Sequence, residues 1–323
     1  MRWRASALTK MAQQSWRFLS WLSPSAPRQQ SQGRAARCQT AQNGNIAVST
    51  EPGLTLVPST ITKTVHFIRH AEGFHNVGWE QNDDAHLTGR GWAQTAALRR
   101  HLQELTLPLN VQVVIVSPLQ RTLETAAGVF GAPGGGGLLM RGQDAAPNER
   151  TAHEAIALPA CGPPFVACEQ CRERVGPNRC DRRRLLSSTR AQFPGVDFDF
   201  VASEDDEWWE REHAVPQSCG CYSRGESEAQ CTERGVRFLK WLMSRPEQRI
   251  AVVSHAGFIR HALSAFAGGL PDAPAEALQR EFSNCELRTV VLSDASVCAR
   301  DATWFPGGMA AAAKGEAALA AGR

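Results

Sequence analysis

Two short apolar segments that lie far apart in the chain each end at a histidine. The first covers residues 65–68 and leads to Arg69 and His70, and the second covers residues 250–253 and leads through a serine to His255. Their length and their content of β-branched residues are typical of strands buried in a sheet. Ligands of an open parallel sheet bind at the carboxyl ends of its strands. The two segments therefore predict a sheet that places two imidazoles at one edge.

A third strand-like segment, residues 113–116, leads to a predicted helix start. Ser117 has the character of an N-cap, Pro118 suits the first helical position, and Gln120 completes a capping box with Ser117. On this interpretation Arg121 lies in the first helical turn, beside unpaired backbone N–H groups and the positive end of the helix dipole. Such a position is suited to an anion.

Helical patterns separate the strand-like segments. Thr88 is a candidate N-cap for a helix that runs to about Leu105, and the following helix ends near Gly131. Ser227 and Gln230 form a second capping box further along the chain. Because strands alternate with helices, the sequence predicts an α/β fold with a mostly parallel sheet and helices on both of its faces.

Several longer motifs occur in order along the chain: RHAEGFHN, LTGRGWAQ, SPLQRTLETA, GES and VSHAGF. Together they resemble the histidine phosphatase superfamily, also called the phosphoglycerate mutase-like proteins. The resemblance is closest to the plant and algal branch, since CRERVG, CDRRR, ERGVRFLKWL and FSNCELR also match. It covers roughly residues 62–295 and implies a three-layer α/β/α sandwich. This sequence departs from the family pattern at Ala71, where many relatives have glycine.

The resemblance also organises the chain into domains. We assign residues 62–300 to the histidine phosphatase domain, in which 131–163 form a low-complexity insert without an assignable role. Residues 51–61 are a predicted linker, and 301–323 are a predicted flexible tail. Residues 1–50 are a predicted leader.

The composition of the leader is typical of an organelle transit peptide, because it holds seven Lys and Arg and no Asp or Glu. We therefore expect a chloroplast or a mitochondrion as the destination. The alternatives are a disordered tail on a cytoplasmic protein and a membrane-surface helix formed by SWRFLSWL. The apolar residues are too interrupted for a membrane-spanning helix, so no stable membrane insertion is expected. The rest of the chain carries 28 basic and 32 acidic residues, which gives no reason to expect nucleic-acid binding.

The resemblance implies roles for the residues at the predicted sheet edge. His70 is the expected nucleophile, which attacks phosphorus and forms a phosphohistidine. Arg69, Arg121 and His255 are expected to hold the phosphate, and Asn76 adds a neutral donor. A guanidinium suits this task because its planar fork meets two oxygens at once.

A carboxyl group is also needed, since cleavage of a phosphate ester leaves an alkoxide that must be protonated. Glu173, in the CRE sequence, occupies the position of the family's acid. Glu169 is the alternative acid, and spacing alone does not separate the two residues.

The expected activity is hydrolysis of a phosphomonoester of a small metabolite, without a cofactor or a metal. One alternative is a phosphoglycerate mutase-type phosphotransferase, which would return the phosphate to a second hydroxyl of its substrate. Another is a non-catalytic binding or scaffold protein of the same fold. No feature of the sequence identifies the substrate or the oligomeric state.

The ten cysteines offer a competing interpretation of the middle of the chain. Cys168 and Cys171 form one close pair, and Cys219 and Cys221 form another, so the two pairs could supply four ligands to zinc. A regulatory disulfide is a further alternative. The surrounding residues do not resemble a zinc knuckle, and we expect reduced cysteines and no metal.

Overall fold

The computed structural model describes residues 62–78, 83–133, 138–139, 156–158, 162–213, 225–268 and 270–294. The predicted leader, linker and tail lie outside these residues, as does most of the predicted insert. Organelle targeting therefore stays a prediction. Within the described residues, no helix combines the length and the apolar composition needed to cross a membrane.

The described residues form nine strands, seven α-helices and three short 3-10 helices. The strands are β1 (Thr62–Arg69), β2 (Val113–Val116), β3 (Ala132–Pro133), β4 (Leu138–Leu139), β5 (Ile156–Leu158), β6 (Phe165–Cys168), β7 (Val196–Phe200), β8 (Arg249–Ser254) and β9 (Leu287–Ser293). The helices are α1 (Gly89–Glu104), α2 (Gln120–Phe130), α3 (Leu186–Gln192), α4 (Glu207–His213), α5 (Glu228–Ser244), α6 (Ala256–Ser264) and α7 (Asp272–Gln279).

Six of these strands form the main sheet, in the order β7-β6-β2-β8-β1-β9. Five of them are parallel, and β9 pairs with β1 in the antiparallel direction at one edge. The prediction of a mostly parallel sheet is confirmed. Because β1, β8 and β2 are neighbours, the loops that follow them meet at one end of the sheet.

Side chains of the central strands alternate between two cores, as the pleat of a sheet requires. On β2, Val114 and Val116 pack on one face with side chains of α1, α2 and α3. Val113 and Ile115 pack on the other face with side chains of α5 and α6. Helices therefore cover both faces, and the three-layer α/β/α sandwich is confirmed.

Most of the predicted boundaries agree with the structure. β2 coincides with the predicted strand at 113–116. Helix α1 begins after Thr88, whose side chain accepts a hydrogen bond from the backbone N–H of Gly91, and α2 ends before Gly131. The capping box of Ser227 and Gln230 is also present. These signals are local, so they needed no knowledge of the rest of the fold.

The predicted cap of α2 is wrong. The helix begins at Gln120 with Leu119 as its N-cap, and Leu119 offers no side-chain hydrogen bond. The carboxylate of Asp84 supplies the acceptor instead, because its Oδ1 receives the backbone N–H of Gln120 at 2.6 Å. Ser117 is thereby free for a different partner, and the helix start is occupied by a carboxylate of the protein itself. Arg121 still lies in the first turn, as predicted.

The predicted insert contains more regular structure than we expected. Strands β3, β5 and β4 form a separate three-stranded antiparallel sheet. The pairing joins residues that are distant in sequence, and a glycine-rich composition does not indicate such pairing.

Candidate active site

His70 and His255 lie side by side at the carboxyl ends of two neighbouring strands. β1 and β8 are paired in register up to Arg69 and Ser254. The backbone N–H of His70 then donates to the carbonyl of Ser254 at 2.8 Å. The centroids of the two imidazole rings are 5.2 Å apart, and both side chains are buried.

The ring of His70 has a fixed tautomer. Its Nδ1 lies 2.7 Å from the carbonyl oxygen of Ala71, and a carbonyl can only accept, so Nδ1 carries the proton. Burial lowers the pKa of His70 well below its usual 6.5, and the nearby positive groups lower it further. The ring is therefore neutral at physiological pH, with a lone pair on Nε2. A neutral imidazole nitrogen of this kind is a competent nucleophile.

Arg121 reaches the site from the first turn of α2 and is held there by a second segment. Its Nη1 donates to the carbonyl of Cys180 at 2.6 Å, and its Nη2 donates to Oδ1 of Asp181 at 2.8 Å. Burial outweighs the attraction of Arg121 and raises the pKa of Asp181 to about 6. Asp181 was not among the predicted site residues, because its partner is 60 residues away in the chain.

The segment after α7 supports Arg69, His70 and Asn76 together. The carbonyl of Phe282 accepts from Nη1 of Arg69 at 2.6 Å. Nδ2 of Asn284 donates to the carbonyl of His70 and to Oδ1 of Asn76, both at 3.2 Å. Oδ1 of Asn76 also accepts the backbone N–H of Gly73 at 3.1 Å, which leaves the amide N–H₂ of Asn76 for a ligand. This segment contains the FSNCELR motif, to which the sequence analysis assigned no function.

His255 is held by the serine that was predicted to cap α2. Its Nε2 lies 2.8 Å from Oγ of Ser117. Its Nδ1 is buried and has no hydrogen-bond partner among the described residues. Burial lowers the pKa of His255 well below 6.5, with the charge of Arg121 as the next cause. Nδ1 is thus the nitrogen available to a bound group.

The carboxylate of Glu173 lies at the N-terminus of α6, immediately after His255. Its Oε1 accepts the backbone N–H groups of Phe258 at 2.9 Å and Arg174 at 2.8 Å, and its Oε2 accepts that of Gly257 at 3.3 Å. A helix N-terminus stabilises a carboxylate in this position. The structure therefore places the carboxylate of Glu173 at the start of the helix whose N-cap residue is His255.

Glu169 has different neighbours. Its two oxygens accept from Nη1 of Arg172 and from Nε of Arg183, each at 3.0 Å. Arg172 also forms a two-pronged contact with Asp206, with both distances 2.7 Å. Glu169 thus belongs to a network of partly buried charges, and spatial position separates it from Glu173 where sequence spacing did not.

A third imidazole belongs to the same region. The ring centroid of His75 lies 5.0 Å from that of His70. Burial, followed by the charges of Arg121 and Arg69, lowers the pKa of His75 to about 2. His75 was not among the predicted site residues, although it follows His70 in the same motif.

The cysteines do not form a metal centre within the described part of the chain. No group of three or more His, Cys, Asp or Glu residues there has the geometry to hold a metal ion. Cys168 and Cys171 are buried free thiols. Cys219 and Cys221, the second pair of the zinc interpretation, lie outside the described residues.

A family model and curated relatives match most of this chain. A model of the histidine phosphatase superfamily (branch 1) matches residues 65–136 and 190–299. A phosphoglycerate mutase-like protein of Arabidopsis thaliana is 37% identical over 271 residues, which cover 79% of this chain and 94% of the relative. Phosphoglycerate mutase-like protein 1 of the same plant is 36% identical over 276 residues, which cover 80% and 92%. The structure of a mycobacterial glucosyl-3-phosphoglycerate phosphatase is 22% identical, with a TM-score of 0.36, over 70% of this chain and 92% of that one.

Proposed function

This chain belongs to the histidine phosphatase superfamily, and from that membership we propose that it hydrolyses a phosphomonoester of a small metabolite through a phosphohistidine. The observation that carries the proposal is the state of His70. Its ring is neutral, its Nδ1 is fixed by the carbonyl of Ala71, and its Nε2 is left to react. A binding protein has no need of such a nucleophile.

In the first half of the reaction, Nε2 of His70 forms a bond to phosphorus while the bond from phosphorus to the ester oxygen breaks. Binding of the negatively charged phosphoryl group beside Glu173 favours the protonated form of its carboxyl group. The departing oxygen then takes that proton. A positioned acid of this kind contributes on the order of a hundred-fold in rate. Glu173 is preferred over Glu169 because it lies at the start of the helix that follows His255, whereas Glu169 accepts hydrogen bonds from Arg172 and Arg183.

The transferred group spreads negative charge over its three equatorial oxygens, and fixed donors must stabilise that charge. Arg69 and Arg121 supply guanidinium groups, His255 supplies Nδ1, and Asn76 supplies its amide. Contacts within the protein set the positions of these donors before any ligand binds. Phe282 holds Arg69, and Asp181 holds Arg121. Ser117 holds His255, and Asn284 holds Asn76. Such preorganisation removes the cost of arranging donors during the reaction.

In the second half, water attacks the phosphohistidine opposite His70, the bond from Nε2 to phosphorus breaks, and inorganic phosphate leaves. Glu173, which lost its proton in the first half, takes one from the attacking water. The same carboxyl group therefore serves as acid and then as base, and the enzyme returns to its starting state.

A mutase-type phosphotransferase is the competing activity, and the names of the two plant relatives are the reason to test it. A mutase would pass the phosphoryl group from His70 to a second hydroxyl of the substrate. It would require a bisphosphate primer, whereas a phosphatase releases phosphate to water without one.

The proposal is tested by mixing the full-length protein briefly with an aryl phosphate and measuring an acid-labile phosphoryl group by intact mass, alongside a His70→Ala variant. We expect the label on the wild-type protein and its decay with release of phosphate. A phosphometabolite screen with and without a bisphosphate then separates phosphatase from mutase. A folded protein that shows neither label nor phosphate release would be a binding or scaffold protein instead.

A further inference from the structure

His75 is a side chain of the candidate active site to which the proposed mechanism gives no role. Its ring lies as close to His70 as the ring of His255 does, at 5.0 Å against 5.2 Å between centroids. The planes of the His70 and His75 rings are tilted by 54°. The reacting imidazole therefore has two imidazole neighbours.

The position of the ring is built into the backbone. His75 lies in a short 3-10 helix, Phe74–Val77, that follows Gly73. A Cβ atom at Gly73 would lie 2.7 Å from Nδ1 of His75 and 2.8 Å from its Cε1, which is closer than real side chains approach. Only glycine leaves room for the ring at this place. The amide of Asn76 closes the turn by accepting the backbone N–H of Gly73.

The two nitrogens of this ring differ in their surroundings. Nδ1 is buried and has no hydrogen-bond partner among the described residues, while the side chain as a whole is half-buried. Nδ1 lies against Gly73, 2.7 Å from the place that a Cβ atom would take, so no ligand can approach that nitrogen from this side. Nε2 is the nitrogen left to meet a ligand, and we place the proton there.

The charges around the ring also define its state. Arg121 and Arg69 act on it, and His70 and His255 are the other titratable groups within its electrostatic reach. With two guanidiniums so close, the ring remains neutral and offers an N–H donor rather than a second positive charge. A neutral donor binds an anion without the desolvation cost of another buried cation.

We propose that His75 binds the phosphoryl group directly, by donating Nε2–H to one of its oxygens both in the bound substrate and in the phosphohistidine. The inference rests on the proposed function, since it concerns the same phosphoryl group. It adds a residue that touches the substrate to the four donors already described.

The test compares His75→Phe, which keeps an aromatic ring over Gly73 but removes both nitrogens, with His75→Gln, which keeps a side-chain N–H donor. His101→Phe, an exposed position on α1, is the matched control for the same chemical change. The full-length proteins are assayed with an aryl phosphate, and inorganic phosphate is measured as a competitive inhibitor. Thermal unfolding shows which variants are folded, and His75→Leu replaces His75→Phe if the latter is not.

We expect His75→Phe to lower kcat/KM and to weaken inhibition by phosphate, each by roughly ten-fold or more, as for loss of a hydrogen bond to a charged group. His75→Gln should recover part of both, and His101→Phe should change neither. Unchanged kcat/KM and phosphate inhibition in His75→Phe would overturn the inference. Equal losses in His75→Phe and His75→Gln would also overturn it, because the ring would then only position His70.

A wild-type protein that forms no phosphohistidine and releases no phosphate would overturn the proposed function itself. That result is distinct from a result that overturns only the role of His75.

Discussion

Oγ of Ser117 lies 2.8 Å from Nε2 of His255, and neither side chain is exposed to solvent. Ser117 follows β2, and its backbone N–H donates to the carbonyl of Val253 on the neighbouring β8. A serine hydroxyl can donate to an imidazole nitrogen, which places the ring proton on the other nitrogen. If Ser117 donates to Nε2, Nδ1 of His255 carries the proton that a phosphate oxygen needs.

The first prediction is that Ser117→Ala lowers kcat/KM by roughly ten-fold and lowers the free energy of unfolding by about 1–3 kcal/mol, because Nε2 of His255 is left buried without a partner. The measurements are steady-state kinetics over a range of pH and urea unfolding. Ser254→Ala is the matched control, since the hydroxyl of Ser254 is equally buried but donates to the carbonyl of Cys171. A pH profile and kcat/KM that are the same in both variants would contradict a role for Ser117 in orienting His255.

Ser117 also shows where prediction from the sequence ended. The pattern of Ser117, Pro118 and Gln120 satisfies the local signature of a capping box. In the fold, a carboxylate from Asp84 receives the N–H of Gln120, and the serine contacts a histidine 138 residues away. The strand before Ser117 was predicted correctly, because an apolar run of four residues is a local signal. A long-range contact then decided how the polar side chain is used.

The difference between local sequence signals and long-range contacts also applies to the candidate active site. Arg69, His70, Arg121 and His255 were predicted from the motifs of the family, and each lies at the end of a strand or in the first turn of a helix. The sequence did not single out Asp181 or Asn284, which act through their contacts with other polar residues. Such supporting residues carry no chemical signature of their own, so they become visible only when the chain is folded.

The second prediction concerns the acid. Glu173→Gln should slow turnover of an alkyl phosphate by about a hundred-fold, because an alkoxide leaves poorly without a proton. The loss should be much smaller with an aryl phosphate, whose leaving group needs less protonation. Glu169→Gln should instead lower the turnover of both substrates to the same extent, because it disturbs the contacts of Glu169 with Arg172 and Arg183. The ratio of alkyl to aryl phosphate turnover distinguishes the two variants. If this ratio is unchanged in Glu173→Gln, Glu173 is not the acid.

The third prediction follows from the space beside Glu173. A Cβ atom at Gly257 would lie 2.5 Å from Oε1 of Glu173, so an alanine there must displace the carboxylate. Gly257→Ala should therefore reproduce the loss of Glu173→Gln, with a larger effect on alkyl than on aryl phosphates. Gly268→Ala is a suitable control, because a Cβ atom there meets nothing within 4 Å. Equal alkyl-to-aryl ratios in the two alanine variants would show that the position of the carboxylate is not critical.

The fourth prediction uses two buried aspartates whose pKa values shift in opposite directions. Burial raises the pKa of Asp181 from 3.8 to about 6, so between these values the native state holds a proton that the unfolded chain has lost. Its ionisation therefore destabilises the fold as pH rises, by up to about 3 kcal/mol, and Asp181→Asn should gain stability relative to the wild type from pH 4 to pH 7.

For Asp206, burial is outweighed by the hydrogen bonds and charge of Arg172, which lower its pKa. Asp206→Asn should thus lose stability relative to the wild type as pH rises towards 4, because the stabilising carboxylate forms over that range. Urea unfolding from pH 3 to pH 7 measures how the difference in unfolding free energy between each variant and the wild type changes with pH. If this difference changes in the same direction for both variants, Arg121 and Arg172 hold their carboxylates in the same way.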